Sequence, residues 1–518
     1  MNTAKLASTP RIGVIGAGVG GLVSAIDLAR AGFEVLLFEG AATPGGKMRQ
    51  VGVGGVSMDG GPTVFTLPRV FEQLFDDAGD DFHRRVKLTA AEVLARHAWL
   101  GGGRLDLFAD LQRSEQAIGE LCGRRDALGF VRFAAQAKRI YDTLDMTFMH
   151  AARPSPLQLA RRIGLRRLAD LWNIHPFTTL WRATGQYFRD PRLRQLFARY
   201  ATYCGSSPFA SPATLMLIAY VEQAGVWYVE GGMRELAAQL AALASRLGVH
   251  LRYRAPVAQV QTHRGRVSAL QLHDGERIAV DAVVSNADNN ALSTGLLGEH
   301  ARAAANPTPR SARTLSAVTL HVLGSTHGFD LSHHTVFFGA DYRDEFDSIF
   351  RLGRIPSSPT IYVCAQDRRR NGMSPADREE RLMCLINAAP NGDIFQYTAA
   401  ELNACSQKIL DSLRGYGLTV RSEHETVTTA PQDFERLFPG TGGALYGPAS
   451  HGWQASFRRP SSRSRVPGLY LAGGSTHPGA GVPMAATSGR LAAASIMEDF
   501  ASTSCRQRTA TRGGMSTA

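Results

Sequence analysis

The N-terminal stretch RIGVIGAGVGGLVSAIDLARAGFEVLLFEGAATPGGKMR, residues 11 to 49, admits few folds, because it runs as strand, glycine turn, helix, strand and acid without interruption. Ile12, Val14 and Ile15 form a short buried strand. Gly16, Gly18 and Gly21 stand in GxGxxG spacing, with Ala17 and Gly20 inside the turn. The first glycine permits the tight turn, the second lets a phosphate reach the backbone, and the third lets helix and strand pack closely. A helix from about Gly20 to Ala31 then presents its amide-rich N-terminus to a pyrophosphate. Glu39, at the end of the FEVLLF strand, is placed to accept hydrogen bonds from an adenosine ribose. Glycine spacing alone would be a weak signal. Strand, helix and acid in register make it a dinucleotide site in a Rossmann-like α/β domain.

Two further features select FAD over a nicotinamide. Gly45, Gly46 and Lys47 form a second glycine turn, with a cation beside the phosphates. A separate strand-turn-helix, GLYLAGGSTHPGAGVPMAATSGR from Gly468 to Arg490, closes the chain, and a long flavin needs such a distant element over its ribityl chain and ring. Candidate contacts there are Gly473, Gly474, Gly479, Gly481, Val482 and Met484. MDGGPTVF carries Asp59, Gly60, Gly61 and Pro62, whose glycines either let a loop pass against the flavin or form a plain turn. No cysteine near the C-terminal segment suggests a covalent link, so the FAD is expected to be non-covalent.

This arrangement resembles the FAD amine-oxidase-like superfamily, in which a pattern ending in GG[RK] follows the ribose acid. THPGAG, Thr476 to Gly481, is similar to the bacterial phytoene-desaturase type of carotenoid oxidoreductase. GPTVFTLPRVFEQLF, GVWYVEGGMREL and HPGAGVPMAATSGR most resemble its methoxyneurosporene dehydrogenase (1-hydroxycarotenoid 3,4-desaturase) branch. The resemblance implies a C3–C4 desaturation of an acyclic carotenoid bearing a 1-hydroxy or 1-methoxy group, with quinone or oxygen as electron acceptor. It sets Val257, on RAPVAQV, at the adenine side, and DAVVSNAD at the returning strand of the flavin domain. Where many members carry an acid after the LAG turn, this chain has Gly474 and Ser475, which points to backbone contacts with the ribityl chain. His477 is the first candidate for a base, against a role in shaping its turn; Asp59 is a flavin-side structural carboxylate rather than a base.

With 518 residues and no repeat or proline-rich linker, the chain reads as two or three interleaved substructures. Residues 10–85, 229–300 and 462–500 form a discontinuous FAD-binding domain, 86–112 and 311–461 a mixed-sheet substrate domain, 113–228 a helical cap, and 501–518 a disordered polar tail. Strands TLSAVTLHVLG, TVFFG and TIYVCAQD have alternating faces that could line an apolar tunnel or an ordinary core. The six cysteines show neither CxxC spacing nor a dense framework, which fits a reducing compartment, and no metal is expected.

No apolar run reaches the roughly 18 residues of a spanning helix, and none precedes the first strand as a secretory segment. The net charge of +12 accompanies no recognised nucleic-acid module, so nucleic acid is not an expected partner. Between Arg153 and Arg199 ten arginines face two acids, interleaved with Leu157, Leu159, Ile163, Leu165, Leu168, Leu171, Trp172, Phe177, Leu180 and Trp181. RRIGLRRLADLW suits an amphipathic helix on anionic lipid, with leucine and tryptophan in the acyl boundary. The other reading is a cap whose apolar face is core and whose arginines are solvated. The first reading places the protein in the cytoplasm, peripheral to the inner or photosynthetic membrane. Two rival functions share parts of the pattern: an amine or porphyrinogen oxidase, and a non-catalytic isoprenoid carrier related to Rab escort proteins. A general phytoene desaturase is the alternative within the same family.

Overall fold

The computed structural model describes residues 9–152, 154–163, 176–368 and 379–512. Its first sheet has five parallel strands in the order Leu469–Leu471, Ala282–Ser285, Arg11–Ile15, Glu34–Phe38, His250–Arg252. The first strand of the chain is therefore the middle of the sheet, and its neighbours come from widely separated segments. A parallel sheet needs cover on both faces. Here one face packs against helices Val19–Arg30, Met233–Arg246 and Val482–Arg512 through Leu22, Ile26, Leu236, Leu240 and Ala493. The other face packs against the antiparallel strands Val257–His263, Arg266–Leu272 and Arg277–Ala279 through Val260, Leu270 and Ile278. Gly13 makes that approach close, since a Cβ there would stand 2.7 Å from Leu270 Cδ1.

A second, mixed sheet runs Leu418–Arg421, Ser316–Gly328, Glu380–Ala388, Ile361–Ala365, His334–Phe338, Val93–Trp99, Arg104–Phe108, with Val427–Thr429 also pairing with Ser316–Gly328. Only His334–Phe338 and Val93–Trp99 run parallel. Successive side chains of a strand point to opposite faces. Phe337, Val363 and Leu320 accordingly pack against Ile409 and Leu413 of helix Ala399–Gly415, whereas Val336 and Phe338 face the helices of residues 111–223.

Those helices enclose an aromatic core of Phe130, Phe133, Phe188 and Phe197. Several residues read as lipid-facing belong to protein cores instead. Leu159 and Leu180 are buried, and Trp181 packs on Phe209 and Tyr342, with the Arg194 guanidinium over its ring. Arg161, Arg162 and Phe177 are exposed. Arg153, Leu165, Arg166, Arg167, Leu168, Leu171 and Trp172 lie outside the described residues. Among the described residues no helix is long and apolar enough to cross a membrane. The final helix continues to Arg512, past Phe500, where a disordered tail was expected to follow; a mostly polar sequence with few strong breakers can extend a helix already nucleated by packing.

His97 and His321 are among the imidazoles held neutral in the interior. Burial pushes His97 down to about 3, with the Arg199 charge adding to it, and pushes His321 down to about 4, with Arg49 adding. In the unfolded chain both titrate near 6.5. Above that pH neither state binds the proton and the shift has no effect. Below it the unfolded chain takes up protons that the folded chain refuses, so stability falls from pH 6.5 down to about 4 for His321 and about 3 for His97. Each contributes a slope of roughly 1.4 kcal/mol per pH unit. Replacing His97→Phe should flatten the fall of the thermal unfolding midpoint between pH 6.5 and 4 relative to the unsubstituted protein; an unchanged or steeper fall contradicts this assignment.

Candidate functional site

The glycine turn sits at the carboxyl end of the central strand. Gly16 adopts φ +93° and its amide donates to the Phe38 carbonyl at 2.7 Å. A Cβ on Gly21 would lie 2.0 Å from the Gly16 carbonyl oxygen, so helix and turn touch backbone to backbone. At Gly20 the intruding atom would meet Asn286 Oδ1 at 2.7 Å and the Gly473 amide nitrogen at 2.8 Å. Helix Val19–Arg30 begins at Gly18 with no side-chain cap and no acid in its first turn, leaving that N-terminus to an outside anion. Glu39 accepts from the Ala17 amide at 2.7 Å and the Ala41 amide at 2.8 Å, which fixes the acid at the mouth of the turn. The segment leading to Val257 runs beside it, with the Ala255 amide donating to the Glu39 carbonyl at 2.9 Å, and Val257 is buried.

The second glycine turn joins the first through the Gly45 amide, which donates to the Ala17 carbonyl at 2.9 Å; Gly46 has φ +57°. Lys47 departs from the expectation. Its ammonium donates to the Leu445 carbonyl at 2.7 Å and lies over the Phe438 ring, so the cation set beside the phosphates is committed to another loop. Burial pushes its pKa down. Asp59 accepts from the Met233 amide at 2.8 Å, while its own backbone pairs with the Gln366 carboxamide at 2.9 and 3.0 Å. Gly61 runs against the Lys47 carbonyl, where a Cβ would clash at 1.8 Å, and Gly60 lies against Val51 and the His321 ring. Pro62 and Thr63 follow, leading to a cavity lined by Asp59, Thr63, Tyr228, His333, Cys364 and Gln366.

The C-terminal turn closes over the first. The Gly473 amide donates to Ser488 Oγ at 2.7 Å, and the Gly474 carbonyl accepts from Arg459 at 2.8 Å. Gly479 and Gly481 have φ +144° and +113°, conformations that favour glycine. Val482 opens the last helix and packs in the flavin-domain core, whereas Met484 reaches the cap core. His477 is buried, and its Nε2 stands 2.9 Å from the Phe148 carbonyl and 3.0 Å from the Ala151 carbonyl. Two acceptors at one nitrogen require that nitrogen to carry the proton. His477 thus donates to the cap at Nε2, tying the turn to residues 148–151, and cannot act as a base through that atom.

Two residues absent from the sequence reading organise this junction. Asn286 follows the strand Ala282–Ser285, and its side chain lies against Gly16, Gly18, Gly20, Gly21 and Gly473 together. The buried Arg459 donates to the carbonyls of Tyr446, Pro448 and Gly474, holding the C-terminal turn to the 446–448 loop. Asn286 was visible only as part of DAVVSNAD; Arg459 had no signal beyond one arginine among many.

The parallel sheet, uncapped helix, the Glu39 carboxylate at its mouth and the glycine-lined crevice fit the dinucleotide-binding flavoprotein class. Residues 19–497 match the family model for flavin containing amine oxidoreductases, and the chain belongs to that family, in its phytoene-desaturase-type carotenoid branch. It is 51% identical over 98% of its length to the hydroxyneurosporene desaturase of Rubrivivax gelatinosus, covering 97% of that protein. Identity to the hydroxyneurosporene desaturase of Cereibacter sphaeroides is 43%, over 96% of this chain and 99% of the relative. Among solved structures, an oxidoreductase from Methanosarcina mazei is similar in fold, with a TM-score of 0.59 at 16% identity, over 94% of this chain and 100% of that one. The protein is an FAD-dependent oxidoreductase.

Gly18 offers a test of the FAD seat. A Cβ there would meet only the far end of the Asn286 side chain, 2.5 Å from Nδ2, so Gly18→Val can be accommodated by the fold while blocking a phosphate from the backbone. The purified Gly18→Val protein should show the circular dichroism of the unsubstituted protein and less than a tenth of its flavin absorbance. Full FAD content would refute the placement.

Proposed function

We propose that this protein desaturates the C3–C4 bond of acyclic carotenoids bearing a 1-hydroxy or 1-methoxy group. The observation that carries the reading is near full-length identity of 40–51% to three hydroxyneurosporene desaturases. The amine-oxidase-like fold and the apolar meeting of sheet and cap support it.

Gly16, Gly18, Gly20 and Gly21 would seat the pyrophosphate, Glu39 the ribose, and Val257 the adenine side. Gly45, Gly46, the loop Asp59 to Pro62, and Gly473, Gly474, Gly479, Gly481, Val482 and Met484 would enclose the rest. When bound, FAD supplies a two-electron acceptor for the hydride leaving C4, and C3 gives up a proton. Loss of hydride at C4 leaves a cation spread along the polyene, so the adjacent proton is acidic and a weak base suffices. The protein's work is chiefly orientation and exclusion of water. The hydrogen bonds of Asp59 with Met233 and Gln366 hold its loop in place. Electrons would pass on to quinone or oxygen.

A lipid-borne substrate calls for access from a membrane surface. Phe177 and Trp453 form an exposed aromatic pair, 67% and 41% accessible, and Arg161 and Arg162 are exposed on a cap helix. Such groups suit an anionic interface. Flotation with anionic liposomes should weaken with added salt, and should weaken further for an Arg161→Gln, Arg162→Gln, Phe177→Ser protein; undiminished flotation in both cases would leave this surface without a membrane role.

The substrate reading is tested by competition between phytoene and 1-hydroxyneurosporene, with products identified by absorption and chromatography. A site built to hydrogen-bond the tertiary oxygen loses roughly 1–3 kcal/mol when that oxygen is missing, or about 5- to 150-fold in selectivity. The hydroxylated carotenoid should therefore be consumed first and gain one conjugated double bond. Preferential use of phytoene would make the protein a general phytoene desaturase.

A further inference from the structure

The cap-facing side of the larger sheet carries a polar cluster outside the flavin seat. His333, His334 and Cys364 are buried, and one ring nitrogen of each histidine and the Cys364 sulfur all lie within 4.8 Å of one another. Strand pairing puts His334 opposite Cys364, so their side chains share a face. His333, just before that strand, turns its ring to the same place; the two imidazoles stand at 82° with centroids 4.6 Å apart.

One nitrogen of each ring is already held. His333 Nδ1 lies 3.1 Å from the Arg368 carbonyl, which accepts its proton, and His333 Nε2 then faces Cys364 Sγ at 3.6 Å. His334 Nδ1 lies 2.7 Å from the Tyr362 hydroxyl, itself 2.7 Å from the Thr63 hydroxyl. Among the described residues, buried His334 Nε2 has no hydrogen-bond partner. His333, with one nitrogen anchored to a carbonyl and the other turned to the thiol, has the arrangement found around metal-bound histidines.

We infer that His333, His334 and Cys364 bind a thiophilic divalent cation, Zn2+ foremost. Two imidazoles with one thiolate suit that ion, and three protein ligands leave a fourth position open. Zn–N near 2.0–2.1 Å and Zn–S near 2.3 Å place tetrahedral ligand atoms about 3.5 Å apart. The His333–Cys364 spacing of 3.6 Å already meets this. The widest spacing within the cluster needs to close by no more than about 1.3 Å to reach that value, within reach of side-chain rotation. The cavity lined by Asp59, Thr63 and Tyr228 also reaches His333 and Cys364, giving room for a fourth, non-protein ligand. Burial pushes the Cys364 thiol up to about 12, so the empty site keeps its S–H. Binding breaks that bond, forms the metal–sulfur bond and releases one proton per ion. No metal was expected from the sequence, because the ligands come from positions 31 residues apart, with no local spacing to mark them. The inference does not depend on the carotenoid assignment.

The test uses the full-length flavoprotein, dialysed against chelator and titrated with Co2+. We expect one Co2+ per chain, a thiolate-to-cobalt charge-transfer band in the difference spectrum, and displacement by Zn2+. Cys364→Ser should abolish the band, and His334→Gln should weaken Co2+ binding at least tenfold, whereas Cys122→Ser and the exposed His263→Gln should change neither. Flavin content and circular dichroism check folding of each protein. Absence of Co2+ uptake by the unsubstituted protein overturns the proposal, as does a band that survives in Cys364→Ser. Should Cys364→Ser fail to fold, unchanged Co2+ affinity in both His333→Gln and His334→Gln overturns it equally.

Discussion

The structure depends on backbone meeting backbone where the two ends of the chain cross. Gly21 rests on the Gly16 carbonyl, and Gly489 of the last helix rests on the Gly20 carbonyl, where a Cβ would stand 2.3 Å away. Gly473 also comes close to the Asn286 side chain, with a would-be Cβ at 2.8 Å. A side chain at Gly489 separates the first helix from the last, and one at Gly21 pushes the first helix off its own turn. The crevice for a dinucleotide exists because that separation does not occur: the central strand ends at the crossing, its neighbours diverge to either side, and the uncapped helix N-terminus faces the gap.

From this junction the chain builds outward in layers. The five-stranded sheet is covered on both faces and holds the cofactor elements rigidly. The larger sheet shares one face with helix Ala399–Gly415 and offers the other to the cap. Between them run the loop after Asp59 and the turn at His477, each fixed by hydrogen bonds to a different substructure: Asp59 to Met233 and Gln366, His477 to Phe148 and Ala151.

Much of the backbone geometry of the candidate flavin seat was legible because it is local. The turn at Gly16 to Gly21, the acid at Glu39 and the positive-φ glycines of the last turn are imposed by short-range backbone demands that appear as fixed spacings. What could not be read is what long-range packing decides. Lys47 has the position of a phosphate cation, yet its ammonium goes to the Leu445 carbonyl, nearly four hundred residues away (|i−j| = 398). His477, a candidate base set against a role in shaping its turn, proves a donor at Nε2, because its acceptors come from the cap. Leu180 and Trp181, interleaved among the arginines of the lipid-interface reading, pack inside the protein, as the alternative of a cap with an apolar core face has it. The strand Glu380–Ala388, which pairs on both sides within the larger sheet, went unread because its flanking charges mask a short apolar run.

The central claim is that this flavoprotein oxidises a carotenoid rather than merely carrying it. An anaerobic single turnover of the FAD-loaded protein with 1-hydroxyneurosporene tests it most directly, following flavin bleaching and polyene absorption together. The account predicts one flavin reduced for each carotenoid whose spectrum moves to longer wavelength. Carotenoid bound with the flavin still oxidised would contradict it and leave the protein a carrier.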